Sequence, residues 1–151
     1  MDRKVAGFSI LELLITIAIL SILMYVGVSE YTKYKAGREL MRQTNMLADE
    51  LGWIRSQSIA KQPHGIVINV NNYTIFIDNN GNCTFDNDTI VEAKSFISGV
   101  SSTKRVIRVF DRRGYPLSNN CGLGMDGITL TNNLGSQKIV NISKYGRIKI
   151  E

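Results

Sequence analysis

The chain has 151 residues, a formal net charge of +5 from 18 Lys and Arg against 13 Asp and Glu, and a hydrophobic content of 44%. That length holds one modest core and excludes a large multidomain enzyme. The charge excess is mild and spread along the chain, so it permits an anionic partner without demanding one.

The hydrophobic residues are concentrated at one end. Within residues 8–28, Glu12 is the single charged side chain, and Ser9, Thr16, Ser21 and the Tyr25 hydroxyl are the other polar groups. As an α-helix this run spans roughly 31 Å, close to the hydrocarbon thickness of a bilayer. Arg3 and Lys4 precede it and favour a cytoplasmic N-terminus, with the rest of the chain facing outward. A secretory signal peptide has a similar order of charge and apolarity. Its apolar stretch, however, is only about 7–15 residues long and closes on a small-x-small cleavage signature, which does not follow this run. Glu12 also counts against a signal peptide, because a carboxylate inside a membrane segment costs at least about 2.5 kcal/mol and marks a function. Cleavage between Gly7 and Phe8 supplies it with a partner: a new α-amino group one helical turn away, on its own or a neighbouring subunit.

The run Gly7-Phe8-Ser9-Ile10-Leu11-Glu12, followed by Leu13-Leu14-Ile15-Thr16-Ile17-Ala18-Ile19-Leu20, resembles the class III signal of type IV prepilins and type II secretion pseudopilins. The resemblance implies that a prepilin peptidase cuts after Gly7, that Phe8 becomes the N-methylated terminus, and that Glu12 guides assembly into a filament. The implied partners are that peptidase and methyltransferase, other pilin or pseudopilin subunits, the inner-membrane assembly platform and the membrane itself. The chain departs from the pattern twice. Ile10-Leu11 reverses the commoner order, and Ser29 lies where many members carry a helix-kinking proline, so nothing there bends the helix.

Beyond the apolar run, Leu40, Leu47, Leu51 and Ile54 recur at the intervals of one face of an amphipathic helix, and Pro63 and Gly65 end the pattern. The spacing predicts one helix from residue 8 to about residue 60, roughly 80 Å long, half in the membrane and half against a head domain. The expected organisation is a leader at 1–7, a transmembrane and filament-core helix at 8–28, its amphipathic continuation at 29–62, and a β head at 63–151. The period then changes to two. Residues 65–70 and 73–77 read as strands joined at Asn71-Asn72, a dipeptide that tolerates the positive backbone angles of a tight hairpin. Residues 106–110, 128–130, 138–142 and 147–150 are further short candidates. The expected fold is α+β, a pilin-like lollipop: a long N-terminal helix against one antiparallel sheet of five to seven strands.

Leu47 through Leu51, Arg55, Ser58 and Ala60, then Phe110, Gly114, Pro116 and Leu117, then Ile128, Leu130, Val140, Ile142, Ser143, Gly146 and Arg147 are similar to the FimT and GspH group of minor pilins and pseudopilins. Members of that group occupy filament tips or start filaments. A shaft-forming major pilin is the other structural reading. The shared N-terminal machinery leaves secretion, motility and DNA-uptake systems open.

Cys83 and Cys121 are the only cysteines. Outside the cytoplasm they can form one disulfide, and closing a loop of about 38 residues contributes at most roughly 4 kcal/mol; the alternative is two free thiols. Two cysteines and the single His64 do not complete a zinc shell. Asp78, Asp86 and Asp88 suggest a calcium loop, but Cys83 occupies the position that needs glycine and Thr89 the one that needs a bidentate Glu. No nucleophile elbow, phosphate-cradling loop or dinucleotide fingerprint occurs, so the chain reads as a non-enzyme with no cofactor.

Two basic groups remain. Arg147 and Lys149 alternate with Ile148 and Ile150, so both cations share one face of a strand; Arg105, Arg108, Arg112 and Arg113 form the other concentration. Among FimT-type proteins that serve DNA uptake, a C-terminal Gly-Arg-x-Arg motif binds DNA. Here Lys149 stands at the second arginine, keeping the charge and losing the bidentate fork. The resemblance therefore names DNA as a possible partner for Arg147, Lys149, Arg112 and Arg113. The plainer reading is that these charges solvate an edge strand.

Overall fold

The computed structural model describes residues 9–151, so Gly7, Phe8 and the expected cleavage point lie outside the described residues. A single helix, α1 (Ile10–Ala60), opens the described chain and runs without interruption through Ser29. The described residues fall into two compact units, one reaching Lys35 and one covering Ala36–Glu151.

The first unit is the apolar part of α1. Ser9 caps it: its hydroxyl accepts a hydrogen bond from the Leu11 N–H at 3.3 Å, and its carbonyl accepts from the N–H groups of Glu12 at 3.0 Å and Leu13 at 3.1 Å. Glu12 thereby sits in the first turn, where the positive end of the helix favours a carboxylate. The large apolar side chains from Ile10 to Val28 are all exposed. Among the described residues this is one helix long and apolar enough to cross a membrane.

In the second unit, the stripe of Leu40, Leu47, Leu51 and Ile54 is the buried face of α1. These four side chains are at most 2% exposed, and each such burial contributes about 1.5–3 kcal/mol. Gln43, Thr44 and Ser58 share that face with polar tasks. Gln43 Oε1 accepts the Ile97 N–H at 2.9 Å, Thr44 donates to the Leu40 carbonyl, and Ser58 accepts the His64 N–H at 3.0 Å. The last bond ties the end of α1 to the first strand across the turn that Pro63 enforces.

Nine strands follow among the described residues: β1 (His64–Ile68), β2 (Asn72–Ile77), β3 (Thr89–Ser95), β4 (Val100–Ser102), β5 (Val106–Phe110), β6 (Pro116–Leu117), β7 (Gly127–Asn132), β8 (Gln137–Ile142) and β9 (Ile148–Ile150). All pairings are antiparallel. They form two sheets, β3-β2-β1-β5-β6 and β4-β7-β8-β9, which corrects the expectation of one sheet. Both sheets contribute to a core that also contains the stripe of α1. The five-stranded sheet carries a second, smaller cluster of Val67, Phe76, Cys83 and Val109, joined by Phe85, Ile107 and Leu117. β1 is therefore buried at every position, which is why it reads as a near-continuous apolar run.

The hairpin between β1 and β2 also differs from expectation. Neither Asn71 nor Asn72 takes a positive φ; the turn is closed by the Asn69 N–H donating to the Asn72 carbonyl at 2.8 Å and by the Asn69 amide donating to Asn72 Oδ1. Cys83 and Cys121 are bonded to each other, linking the loop after β2 to the loop after β6.

Candidate functional site

The head surface near the C-terminus is organised by a side chain from the helix. Arg55 leaves α1 and donates from Nε to the Gly114 carbonyl at 3.1 Å and from Nη2 to the Tyr145 carbonyl at 3.4 Å. It thus ties two turns, 111–115 and 143–146, that lie far apart in sequence. Each turn contains a left-handed glycine, Gly114 at φ 81° and Gly146 at φ 75°. The joined turns bring the rings of Tyr115 and Tyr145 to 6.3 Å, with the Arg113 guanidinium 5.1 Å from the first ring and the Lys144 ammonium 4.8 Å from the second. Arg113 also pairs with Asp111 at 3.0 Å.

Arg147 and Lys149 are exposed, while Ile148 and Ile150 pack against the core. They line a groove of about 400 Å³ together with Lys144 and Asn141. A second groove of about 220 Å³ is lined by Lys104, Arg105, Arg108 and Asn119. Asp126 lines both. Its Oδ2 lies 2.9 Å from Lys104 Nζ and 3.2 Å from Arg108 Nη2, and its Oδ1 accepts the Gly127 N–H at 2.8 Å. The hydrogen bond from Lys104 above all, helped by Gly127 and Arg108, holds the Asp126 carboxyl below the usual aspartate range. Arg108 is the buried member: its side chain is 7% exposed, and burial pushes its guanidinium down from its ordinary value against the opposing pull of Asp126. Its Nη1 donates to the Ile107 carbonyl, while its Nε–H is buried without an acceptor.

The charge is distributed unevenly. The six basic residues and one acid lining these grooves carry a net +5, which equals the excess of the whole chain. Elsewhere 12 of the 18 Lys and Arg face 12 of the 13 Asp and Glu.

The acidic loop after β2 has its carboxylates engaged by the chain. Asp78 accepts the Gly81 and Cys83 N–H groups, and Asp86 accepts the Asn82 and Asn80 amides, which lower its carboxyl from the ordinary range. Among the described residues no three His, Cys, Asp or Glu side chains gather to hold a metal ion.

The N-terminal segment matches a known pattern: residues 2–24 fit the family model of the prokaryotic N-terminal methylation motif. The fold is similar to the crystal structure of the type IV minor pilin FimU from Pseudomonas aeruginosa, with a TM-score of 0.52 at 12% identity, covering 74% of this chain and 92% of that one. The chain carries an N-terminal methylation motif and has a pilin-like fold. No curated protein matches it. The likeness to FimU carries the pilin-like fold, a helix packed on antiparallel sheets, while the motif places Glu12 within the matched segment.

The structure separates the basic residues singled out in the sequence. Arg147 and Lys149 share a groove, whereas Arg112 and Arg113 sit on the neighbouring turn, where Arg113 is already committed to Asp111 and Tyr115. Sequence reasoning missed Asp126, Lys104 and the organising role of Arg55. It also missed the Ser9 cap, although Ser9-x-x-Glu12 is a recognisable helix-start signature.

Proposed function

We propose that this pilin-like chain is a minor pilin or pseudopilin: a non-enzymatic structural subunit cut between Gly7 and Phe8, N-methylated at Phe8, and built into a type IV pilus or type II secretion pseudopilus. The observation that carries this reading is the methylation motif at residues 2–24 in front of a pilin-like fold. Before assembly α1 waits as a single span in the cytoplasmic membrane, its N-terminus cytoplasmic and its head outside. Glu12 then neutralises the α-amino group of a neighbouring Phe8. In hydrocarbon that attraction is little screened, so a wrong register leaves a charge unpaired and is rejected. The partners are the peptidase and methyltransferase, other pilin subunits and the inner-membrane platform.

Replacing the residue before the cut tests the processing step. Gly7→Lys is expected to leave an uncleaved precursor in the membrane, seen by intact mass as an excess equal to residues 1–7. A Gly7→Lys chain of the same mass as processed wild type contradicts the assignment of Gly7.

A second reading is favoured by one observation, the concentration of the chain's net charge in two grooves that share Asp126. On this reading the head binds DNA in a DNA-uptake system, with Arg147 and Lys149 as phosphate contacts. Such binding is independent of sequence and weakens steeply with salt.

A further inference from the structure

Asp126 is unusually placed for a surface carboxylate. A single oxygen, Oδ2, accepts a hydrogen bond from Lys104 and forms an ion pair with Arg108 at 3.2 Å, the other accepts a backbone N–H, and the residue forms the common lip of both basic grooves. The group beneath it, Arg108, is buried and retains one N–H without an acceptor. The group beside it, Lys104, is half exposed to solvent.

We propose that Asp126 is a resident anion that closes the Lys104–Arg108 groove to single small anions, and that a phosphodiester chain engaging both grooves displaces it from Lys104. The inference rests on the DNA-binding reading and adds the residue that sets its selectivity. A carboxylate held on the chain faces Lys104 at an effective concentration on the order of millimolar or above, so a free phosphate at lower concentration loses the competition. A polyanion does not compete at one point alone. Its neighbouring phosphates meet Arg105 in the same groove and Arg147 and Lys149 in the other, and those contacts offset the displacement. Asp126 thus weakens binding overall while favouring long anions over short ones.

The test uses the full processed chain in detergent micelles and a fluorescently labelled DNA duplex, titrated at two salt concentrations. Wild type, Asp126→Asn, Lys104→Gln, the double variant and Glu92→Gln, which removes a carboxylate lying outside both grooves, are compared. Asp126→Asn is expected to tighten binding about fivefold at low salt and to steepen the salt dependence by about one released counterion. Both gains should vanish in the Lys104→Gln background, since contacting residues are non-additive. In the wild-type chain, whose folding is not in question, the Asp126 carboxyl 13C resonance should move as duplex saturates and stay in place with inorganic phosphate. A wild-type chain that ignores duplex at low salt overturns the DNA-binding reading itself. Wild type that binds duplex while Asp126→Asn behaves like Glu92→Gln, or while the Asp126 resonance stays fixed, overturns the role of Asp126 alone.

Discussion

Glu12→Ala is expected to yield a chain that is cut and methylated normally yet is almost absent from filaments. On the proposed processing, cleavage depends on the residues flanking the 7–8 bond, and alanine at position 12 makes the membrane segment more apolar, so membrane insertion improves. What disappears is the carboxylate that, on the proposed function, neutralises a neighbouring α-amine in hydrocarbon. A group whose unpaired burial costs at least about 2.5 kcal/mol separates correct from incorrect register by roughly 60-fold or more. The measurement is the fraction of chain recovered with sheared filaments relative to the membrane pool. A fall of about that size is the expected result. Glu12→Gln should fall with alanine, because the amide keeps the shape and loses the charge. Normal recovery of either variant removes Glu12 from the assembly mechanism.

Gly146→Ala should damage the head more than other single methyl additions at its turns. The added Cβ would lie 2.2 Å from the Gly114 carbonyl oxygen and 2.6 Å from Arg55 Nε. The φ of 75° is a further cost of about 1–2 kcal/mol for a residue with a side chain. To relieve the contact the two turns must part, and Arg55 then loses hydrogen bonds made by a charged donor, each contributing about 1.5–3 kcal/mol. The expected loss is at least about 3 kcal/mol, or roughly 10 °C in Tm for a unit of this size. Gly135 separates the causes. It also has a positive φ, 82°, but its Cβ meets nothing within 4 Å, so Gly135→Ala carries the backbone strain and no collision. Unfolding of the micelle-bound chain followed by near-UV circular dichroism reads both. If Gly146→Ala is no less stable than Gly135→Ala, the Arg55 junction does not hold the turns.

The long helix was legible because its signals are local: an apolar run, then four aliphatic residues at helical spacing, then proline. Their burial at 40, 47, 51 and 54 follows from periodicity alone. The second sheet was not legible, because which strands pair is decided by contacts distant in sequence. β3 escaped for a different reason. It is an edge strand exposed at nearly every position, so it lacks the alternation that a half-buried strand shows. The short β4 and β6 offer too few residues for any period.

The candidate site divides in the same way. Arg147 and Lys149 stood out through their spacing in one strand, but Arg108 looked like one cation among four. Its distinction is burial beneath Asp126, a partner 18 positions away that no local pattern announces. No local pattern marks Arg55 as an organiser, because its contacts with Gly114 and Tyr145 exist only once the turns have folded back onto it. Charge sums were equally uninformative, since a mild +5 for the chain proves to be the content of two adjoining grooves.

The most direct test of the account is the N-terminus of the subunit recovered from assembled filaments, sequenced by tandem mass spectrometry. The expected result is a chain that begins at Phe8 and carries one methyl group on its α-amine. A filament-borne chain that begins at Met1 or at any other residue, or an unmethylated Phe8, contradicts it.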